Sequence, residues 1–299
     1  MEVSVIIPNY NGIAFLDSVL GSLEGQTARN FEVIFVDNGS TDGSCSFVAG
    51  NYSWVHIIEL PENYGFCRAV NEGIRAAKAP YVLLLNNDTE VAEDFVEQML
   101  SAIRRHKNAF SCAARMVQYH DRDRLDDAGN YYCALGWSFA RGKGKDIHTY
   151  EKEEQILPPA AERPFTGKKI LEKIGYFDEE HFAYLEDTDI GYRARIYGYE
   201  NWYAPEALVY HVGSGTSGSR YNHFKTRYSS RNNVYLIYKN MPLLQIILNL
   251  PFLIVGFWNK ASVLYRKGNG ERNIWQGIKN RVQYQPPGKK SEVFSEKPA

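Results

Sequence analysis

The sequence predicts an α/β fold in which helices cover both faces of a mainly parallel β-sheet. Short runs that are apolar throughout, such as VSVIIP, FEVIFVD, WVHIIEL and YVLLL, alternate with helical patterns over residues 1–107. Strands without polar alternation are typical of a sheet that is buried on both sides. Polar turns follow these strands at PNYN, DNGSTD and NNDTE. Because open α/β sheets bind ligands beyond the carboxyl ends of their strands, we expect a nucleotide-sized ligand there.

The spacing of apolar residues places the elements of this first half. Residues 13–26 are predicted to form a helix because Phe15, Val19 and Leu23 lie on one helical face. A short helix is expected after the NGSTDGS turn, and a third helix over residues 71–79. The apolar runs predict strands over residues 3–8, 31–37, 54–60 and 81–85.

The second half has a less regular pattern. From about residue 108 to 165, segments such as SFARGKGKD and LPPAAERP predict loops over an active site or a mobile flap. A helix is expected over residues 186–197, where Ile190 and Ala194 share a face, and it ends at Gly198. The run NWYAPEALVYHV then predicts a strand.

The composition is that of an ordinary globular protein, with 299 residues, 44% of them hydrophobic and 23% charged. A net charge of −1 gives no overall positive field that would attract nucleic acid, so no nucleic-acid partner is expected. The four cysteines are scattered without a metal-binding spacing, which indicates reduced thiols in the cytosol. The chain enters EVSVIIPNYN directly, so no secretion signal is expected.

The most apolar run of the chain is PLLQIILNLPFLIVGFW, which begins at Pro242. It is shorter than the roughly 20 residues of a comfortable membrane span. A basic stretch accompanies it, so we predict an interfacial helix on an anionic membrane face. A helical hairpin that packs on the domain or forms a homodimer, and a true membrane span, are the open alternatives. The basic residues are Lys260, Arg266, Lys267, Arg272, Lys279, Arg281, Lys289 and Lys290.

Five motifs together resemble a known enzyme family: VSVIIPNYNG, FEVIFVDNGSTDGS, NYGFCRAVNEGI, YVLLLNNDTEV and YLEDTDIGYRARIYGY. Over residues 2–240 the chain is similar to inverting family 2 glycosyltransferases with a GT-A fold, especially their rhamnosyltransferase-like bacterial members, which build surface polysaccharide. The resemblance implies a glycosyltransferase domain over residues 1–240. Its nucleotide-binding half would be residues 1–107 and its acceptor and catalytic half residues 108–240. Residues 241–299 would form a C-terminal helical extension.

The first two turns are expected to bind the nucleotide. A carboxylate at Asp37 can accept the imide N–H of uracil or thymine, and Asp37 resembles the base-reading acid of the family. By itself, an Asx-type turn stabilised by Asp37 and Asp42 would explain the same motif. Pro8 resembles the residue that shapes the floor of the nucleotide pocket. The neighbouring candidates for nucleotide-sugar binding are Asn9, Tyr10, Asn11, Asn38 and Ser40.

A second group of candidates would hold the diphosphate. Gly65 precedes a helix that carries Arg68 and Asn71, and a helix N-terminus with a cation suits a diphosphate. Arg68 could equally be a solvated helix residue. The resemblance also places Arg231, from a tyrosine-rich segment, near the phosphates or the acceptor.

The fourth strand ends in Asn86-Asn87-Asp88, which a capped strand-to-helix turn would also explain. In the family, the last acid of a D-x-D-like triplet at this point binds a divalent cation. One carboxylate is sufficient for Mg²⁺ or Mn²⁺ when a diphosphate and water supply the other oxygens. The resemblance therefore implies Asp88 as a metal ligand and Asn86 and Asn87 as contacts of the nucleotide sugar. His211 is a candidate further ligand, although a lone histidine is more often structural.

The motif YLEDTDIGYR supplies the candidates for catalysis. Inverting transfer needs a carboxylate that takes the proton of the acceptor hydroxyl, a contribution on the order of 10²–10⁴-fold. Asp187 matches the catalytic base of the family, and Glu186 is expected to position the acceptor or the loop. An acidic first turn that is favoured by the helix dipole is the alternative.

The sequence departs from the family at PFTG, which runs directly into the helix KKILEKIGYFDEE. Family members usually have an apolar strand of small residues after a glycine at this point. We therefore expect that strand to be missing after Gly167, with consequences for the acceptor site.

The leading hypothesis is an inverting, metal-dependent glycosyltransferase at the cytoplasmic face of the cell membrane. Its donor would be a sugar of the UDP or dTDP type, with rhamnose as one candidate, and its acceptor a glycan or lipid-linked glycan. A membrane-associated scaffold that keeps the fold without activity is the alternative from another class. A sugar-nucleotide pyrophosphorylase is disfavoured because IIPNYNG lacks the required glycine-rich signature.

Overall fold

The computed structural model describes residues 1–156, 164–213 and 223–266. Its strands are β1 (Val3–Asn9), β2 (Phe31–Asp37), β3 (His56–Glu59), β4 (Tyr81–Leu84), β5 (Thr89–Val91), β6 (Ala109–Gln118), β7 (Leu125–Asp127), β8 (Asn130–Tyr132), β9 (Ser138–Ala140), β10 (Glu154–Ile156), β11 (Pro164–Gly167) and β12 (Glu200–His211). Its helices are α1 (Ile13–Glu24), α2 (Ser44–Asn51), α3 (Phe66–Ala76), α4 (Phe95–Arg105), α5 (Lys168–Ile174), α6 (Glu186–Ile196), α7 (His223–Asn240) and α8 (Leu243–Arg266), with a 3-10 turn at Glu179–His181.

A ten-stranded sheet forms the centre, in the order β10-β12-β6-β11-β4-β1-β2-β3. Strands β3, β2, β1 and β4 are parallel, as are β6 and β12, whereas β11 runs antiparallel between β4 and β6. The short strands β5 and β7 pair with β12 and β6, and β8 and β9 form a separate hairpin. The predicted α/β class with a mainly parallel sheet is confirmed.

Helices cover both faces of this sheet, as predicted. Val5 and Ile7 of β1 belong to an apolar cluster with α1, α2 and α4. Ile6, between them, belongs to a second cluster with α3, α5 and α6. Since successive strand residues point to opposite faces, a strand buried on both faces must be apolar throughout.

As expected, no strand directly follows Gly167 in the described part of the chain, because α5 begins at Lys168. The strand β11, which ends at Gly167, instead lies between β4 and β6 in the sheet. Phe165 in its middle is fully buried and stacks on Tyr81, with ring centroids 5.6 Å apart. The four residues of β11 are enough to pair with both β4 and β6, so the sheet is continuous. Helix α5 begins directly after β11, at Lys168.

The irregular segment expected from about residue 108 contains the ten-residue strand β6. Its sequence AFSCAARMVQ includes Ser, Cys and Ala, which have little intrinsic preference for strands, so pattern reasoning missed it. Its place between β11 and β12 buries it and supplies hydrogen bonds on both sides. Residues 157–163, where a loop or flap was predicted, lie outside the described residues. The helix predicted over 71–79 spans Phe66–Ala76 instead.

Helix α8 packs on the domain along one side and is exposed along the other. On the inner side, Leu253 clusters with Ile237 and Met241, and a Cβ at Gly256 would lie 2.2 Å from the carbonyl oxygen of Leu135. Among the helices in the described ranges, none combines the length and apolarity needed to cross a bilayer. The predicted basic residues beyond Arg266 lie outside the described residues. The outer stripe includes Leu243, Leu244, Ile247, Leu248, Ile254, Val255 and Trp258, each at least half exposed.

The side chain of Asp189 joins α6 to α7. It is completely buried and accepts hydrogen bonds from Arg193 Nε at 2.9 Å, Lys239 Nζ at 2.9 Å and Asn240 Nδ2 at 2.7 Å. Burial by itself raises the pKa of this carboxyl group, but the charges of Arg193 and Lys239 outweigh it and hold the pKa below its usual value. Asp189 is therefore ionised and anchors the helix that begins with the predicted catalytic residues.

Asp189→Asn should lower the free energy of unfolding by about 3–5 kcal/mol, because the buried Arg193 loses its counter-charge and Lys239 keeps only its pair with Asp178. Urea unfolding at neutral pH measures this difference, with the exposed Asp121→Asn as a control that should stay within about 0.5 kcal/mol of wild type. Because the folded-state pKa lies below the unfolded value of about 3.9, the stabilisation is complete above that pH and is lost as the pH falls further. A gap between wild type and variant that stays constant into acid would contradict this assignment.

Candidate active site

The carboxyl ends of β1, β2 and β4 meet at the side chain of Asn9. Its Nδ2 donates to Asp37 Oδ1 at 2.9 Å and to Ser40 Oγ at 3.2 Å. Its Oδ1 accepts a hydrogen bond of 2.6 Å from Asn87 Nδ2. A buried amide has two donor hydrogens and one acceptor oxygen, and Asn9 uses both ends to join three turns.

Gly12 allows this arrangement and was not among the predicted site residues. A Cβ at this position would lie 2.0 Å from Asn87 Nδ2 and 2.6 Å from Asn9 Oδ1. A side chain there would therefore separate the two asparagines. The only sequence signal was the glycine that follows PNYN.

A pocket of about 510 Å³ opens at this edge of the sheet, a size typical of small-molecule sites. The structure brings together many of the predicted residues in its wall: Pro8, Asn9, Tyr10, Asn38, Gly65, Asn86, Asn87, Asp88, Glu186 and His211. The wall also contains residues that were not predicted, among them Asn63, Phe66, Phe182, Tyr184, Leu185 and Phe224.

Three predicted residues are not part of the pocket wall, but their hydrogen bonds hold the turns that form it. The backbone N–H of Asn11 donates to Ser40 Oγ at 2.8 Å, and the backbone N–H of Ser40 donates to Asp37 Oδ2 at 2.8 Å. With the bond from Asn9, each oxygen of Asp37 accepts one of these hydrogen bonds. A carboxylate oxygen can accept two, so the recognition of a base imide by Asp37 stays a prediction.

Three other predicted nucleotide contacts are not in the pocket wall. Asn71 is buried, and its amide bonds both the N–H and the carbonyl of Phe177. Arg68 pairs with Glu72 at 2.8 Å and with Glu179 at 3.2 Å, and its side chain is 44% exposed. Arg231 donates to the backbone carbonyl of residue 180 and lies over the ring of Tyr228. These contacts involve neighbouring helices and loops, and the binding of a nucleotide by the three residues stays a prediction.

One wall of the pocket is a strained loop before α6. Phe182, Tyr184 and Leu185 have φ angles of 60°, 72° and 67°, a region that non-glycine residues rarely adopt. The side-chain amide of Asn232 lies 2.8 Å from the carbonyl oxygens of residues 181, 183 and 184. On the other side, a Cβ at Gly65 would lie 2.5 Å from the ring of Phe182. The loop is therefore clamped between α7 and the start of α3.

Asp88 and His211 also line the pocket. The Nε2 atom of His211 lies 3.5 Å from Asp88 Oδ1, while its Nδ1 is 2.8 Å from Asp126 Oδ2. Lys143 contacts the other oxygen of Asp126. Burial raises the pKa of Asp126, but the bonds from His211 and Lys143 outweigh it and lower the pKa well below its usual value. Asp126 thus fixes the imidazole with Nε2 towards Asp88, a role that the sequence did not reveal.

The residues expected to act in catalysis begin α6. Glu186 lines the pocket and is buried. The carboxylate of Asp187 is turned towards the β8–β9 hairpin, where Asn130 Nδ2 donates to its Oδ2 at 3.1 Å. The Oγ1 atom of Thr188 lies 3.2 Å from the other oxygen of Asp187 and also contacts Ser138 of the hairpin. The two neighbouring acids therefore face different sides of the site, and Asn130 is a contact that pattern reasoning missed.

The sequence model of glycosyl transferase family 2 matches residues 4–162, more than half of the chain. The chain belongs to glycosyl transferase family 2. This glycosyltransferase is 27% identical over 242 residues to the N-acetylglucosaminyl-diphospho-decaprenol L-rhamnosyltransferase of Mycobacterium tuberculosis. The alignment covers 72% of this chain and 77% of that relative.

Solved structures establish the GT-A fold of this family 2 glycosyltransferase. A crystal structure of GalNAc-T7 with UDP, GalNAc and Mn²⁺ is similar with a TM-score of 0.65 and 16% identity, over 80% of this chain and 48% of that one. The mannosyltransferase PcManGT from Pyrobaculum calidifontis, in complex with GDP-Man and Mn²⁺, is similar with a TM-score of 0.59 and 16% identity, over 94% of this chain and 84% of that one.

Gly12→Ala should separate Asn9 from Asn87 and weaken nucleotide binding about tenfold, the effect of losing roughly 1.4 kcal/mol. Titration calorimetry with a nucleoside diphosphate and Mn²⁺ would measure the change. Gly50→Ala is the matched control, because Gly50 lies in α2 with no atom within 4 Å of the added Cβ. Equal affinity of Gly12→Ala and wild type would show that the site does not depend on the asparagine pair.

Proposed function

We propose that this glycosyltransferase moves a sugar, with inversion, from a nucleoside diphosphate of the UDP or dTDP type to a hydroxyl of a glycan or lipid-linked glycan. The observation that carries the proposal is one pocket lined by Asp88, His211 and Glu186, with Asp187 next to Glu186 at the start of α6. The relative from M. tuberculosis supports rhamnose as the sugar and bacterial cell-surface polysaccharide as the product class.

The donor would lie with its base near Asp37 and its diphosphate between Asn86 and Asp88. Asp88 and His211 offer a carboxylate oxygen and an imidazole nitrogen that suit a divalent ion such as Mn²⁺ or Mg²⁺. Groups of three or more candidate metal ligands are absent from the described residues, so substrate oxygens and water would complete the shell. When bound, such an ion stabilises negative charge on the departing diphosphate.

Asp187 is the candidate general base. Its carboxylate faces the hairpin side of the site, whereas Glu186 faces the donor pocket, which separates the acceptor from the leaving group. The acceptor hydroxyl loses its proton to Asp187 as its oxygen bonds to the anomeric carbon. The bond to the nucleoside diphosphate breaks on the opposite face and its electron pair leaves with the diphosphate, so the configuration inverts.

The catalytically inactive scaffold is the weaker alternative. It was suggested by the shortened segment after Gly167, but the sheet is continuous because β11 lies between β4 and β6. The exposed apolar stripe of α8 is consistent with a peripheral position at the inner face of the cell membrane, because apolar helix faces of this kind bury in the interface of a bilayer.

Thermal unfolding with UDP, dTDP and GDP, each with Mn²⁺, Mg²⁺ or a chelator, tests the donor site. A nucleotide at about 100 times its dissociation constant should stabilise the protein by roughly 2.7 kcal/mol. We expect a shift with UDP or dTDP that disappears on chelation.

Asp126→Asn should require about 10–100-fold more Mn²⁺ for the same shift in melting temperature, because it loosens the orientation of His211. Asp123→Asn, at an exposed acid just before β7, is the control. No shift with any nucleotide would refute the donor assignment.

Asp187→Asn should abolish most transfer, with a loss on the order of 10²–10⁴-fold, because an amide cannot accept the hydroxyl proton. The release of nucleoside diphosphate in the presence of a prenyl-diphosphate-linked glycan measures transfer. The nucleotide-dependent thermal shift should persist, which serves as the control for folding. Loss of nucleotide binding together with transfer would overturn the assignment of Asp187 as the base.

A further inference from the structure

A second cavity of about 680 Å³ lies between α6, the β8–β9 hairpin and the start of α8. We call it the α6–α8 groove, and its wall includes Tyr132, Ala134, Gly191, Arg195, Gln245 and Asn249. It shares no wall residue with the donor pocket. We propose that this groove binds the prenyl diphosphate portion of a lipid-linked acceptor. The proposal rests on the proposed function and adds a separate acceptor site to it.

The position of the groove follows from the periodicity of α6. Gly191 and Arg195 lie four and eight residues after Asp187, so the three share one side of the helix. Along the axis, the groove begins about 6 Å from Asp187 and reaches Arg195 at about 12 Å. The β8–β9 hairpin runs from Asp187 to the groove as well. Asn130 donates a hydrogen bond to Asp187, and Tyr132, two residues later, lines the groove. An acceptor sugar at Asp187 would therefore direct its diphosphate along α6 into the groove.

The polar side chains of the groove suit a phosphate. Tyr132 has a buried hydroxyl for which the described residues provide no hydrogen-bond partner. Burial raises the pKa of this hydroxyl, so it remains a neutral donor. Arg195 adds a cation, and Gln245 and Asn249 add amide donors. A diphosphate oxygen would satisfy the tyrosine, and charge-assisted bonds to phosphate are among the stronger hydrogen bonds of proteins.

The apolar surroundings of the α6–α8 groove favour the binding of a lipid-linked acceptor over that of a free glycan. Ile196, Met241 and Ala134 contribute apolar surface to the groove. Gln245 and Asn249 belong to α8, whose other side exposes Leu244 and Leu248 at 68% and 67%. Residues 243–259 contain no charged residue. A prenyl chain that leaves the groove thus meets a continuous apolar helix, whereas a water-soluble glycan would gain nothing from it.

Titration calorimetry of the full chain with farnesyl diphosphate tests this site. A chelator is present, so that the probe cannot bind through a metal at the donor pocket. Wild type should bind farnesyl diphosphate more tightly than inorganic diphosphate, since only the former fills the apolar part. Arg195→Gln should weaken binding about tenfold, and Tyr132→Phe severalfold. Tyr132→Phe should not lower the melting temperature, because the hydroxyl it removes makes no hydrogen bond to the described residues.

Two further variants complete the design. Ala134→Trp should block the groove and abolish binding, and Arg29→Gln, an exposed arginine at the opposite end of the strands, should leave it unchanged. Unchanged affinity in all three groove variants, or tighter binding of inorganic diphosphate than of farnesyl diphosphate, would overturn the proposal. If nucleotides shift the melting temperature while farnesyl diphosphate fails to bind, the groove assignment fails alone. If farnesyl diphosphate binding is lost in the variants while no nucleotide binds, the groove stands and the donor assignment fails.

Discussion

The hydrogen bonds of the Asn9 amide are the constraint on which the donor side of the site depends. β1 is the central strand of the parallel half, and its last residue faces the turns that follow β2 and β4. The bond to Asp37 positions the predicted base contact, and the bond to Asn87 positions the residue before Asp88. Because the amide is buried and its donor and acceptor are both used, neither turn can move independently. A glycine is needed at position 12 because there is no room for a side chain, and not because of its backbone conformation.

The second side of the site depends on a loop that is not stable by itself. Left-handed conformations at Phe182, Tyr184 and Leu185 cost about 1–3 kcal/mol each and persist only where the surroundings hold them. Asn232 of α7 supplies the hydrogen bonds, and the close contact at Gly65 leaves the loop no room to relax. The Asp189 network then fixes the rest of α6 against α7. Helix α7 thereby acts on the candidate catalytic residues through backbone contacts, although it contributes little to the pocket wall.

The β8–β9 hairpin connects the chemistry to the C-terminal helix. One end of it contacts Asp187 through Asn130, and its turn is crossed closely by α8 at Gly256. Helix α8 packs one apolar side on the hairpin and on α7 and leaves another apolar side exposed. The orientations of the candidate base and of the exposed stripe are therefore coupled through one short hairpin, which would give the proposed lipid-linked acceptor a defined direction of approach.

The sequence by itself determined the features that depend on local pattern. The strands that became β1 to β4, the helix that begins at Glu186 and the polar turns at the strand ends followed from apolar runs, helical spacing and turn residues. Only the tertiary structure decided the rest. Strand β6 is a strand because its neighbours supply hydrogen bonds and burial that its own residues do not favour, and β11 needs only four residues because it has a partner on each side. Asn9 and Asn71 were both predicted to contact the nucleotide sugar, yet the side chain of one joins the turns of the pocket and that of the other holds the backbone at Phe177. Asp126 reaches His211 across 85 residues, a contact between side chains that no local pattern encodes.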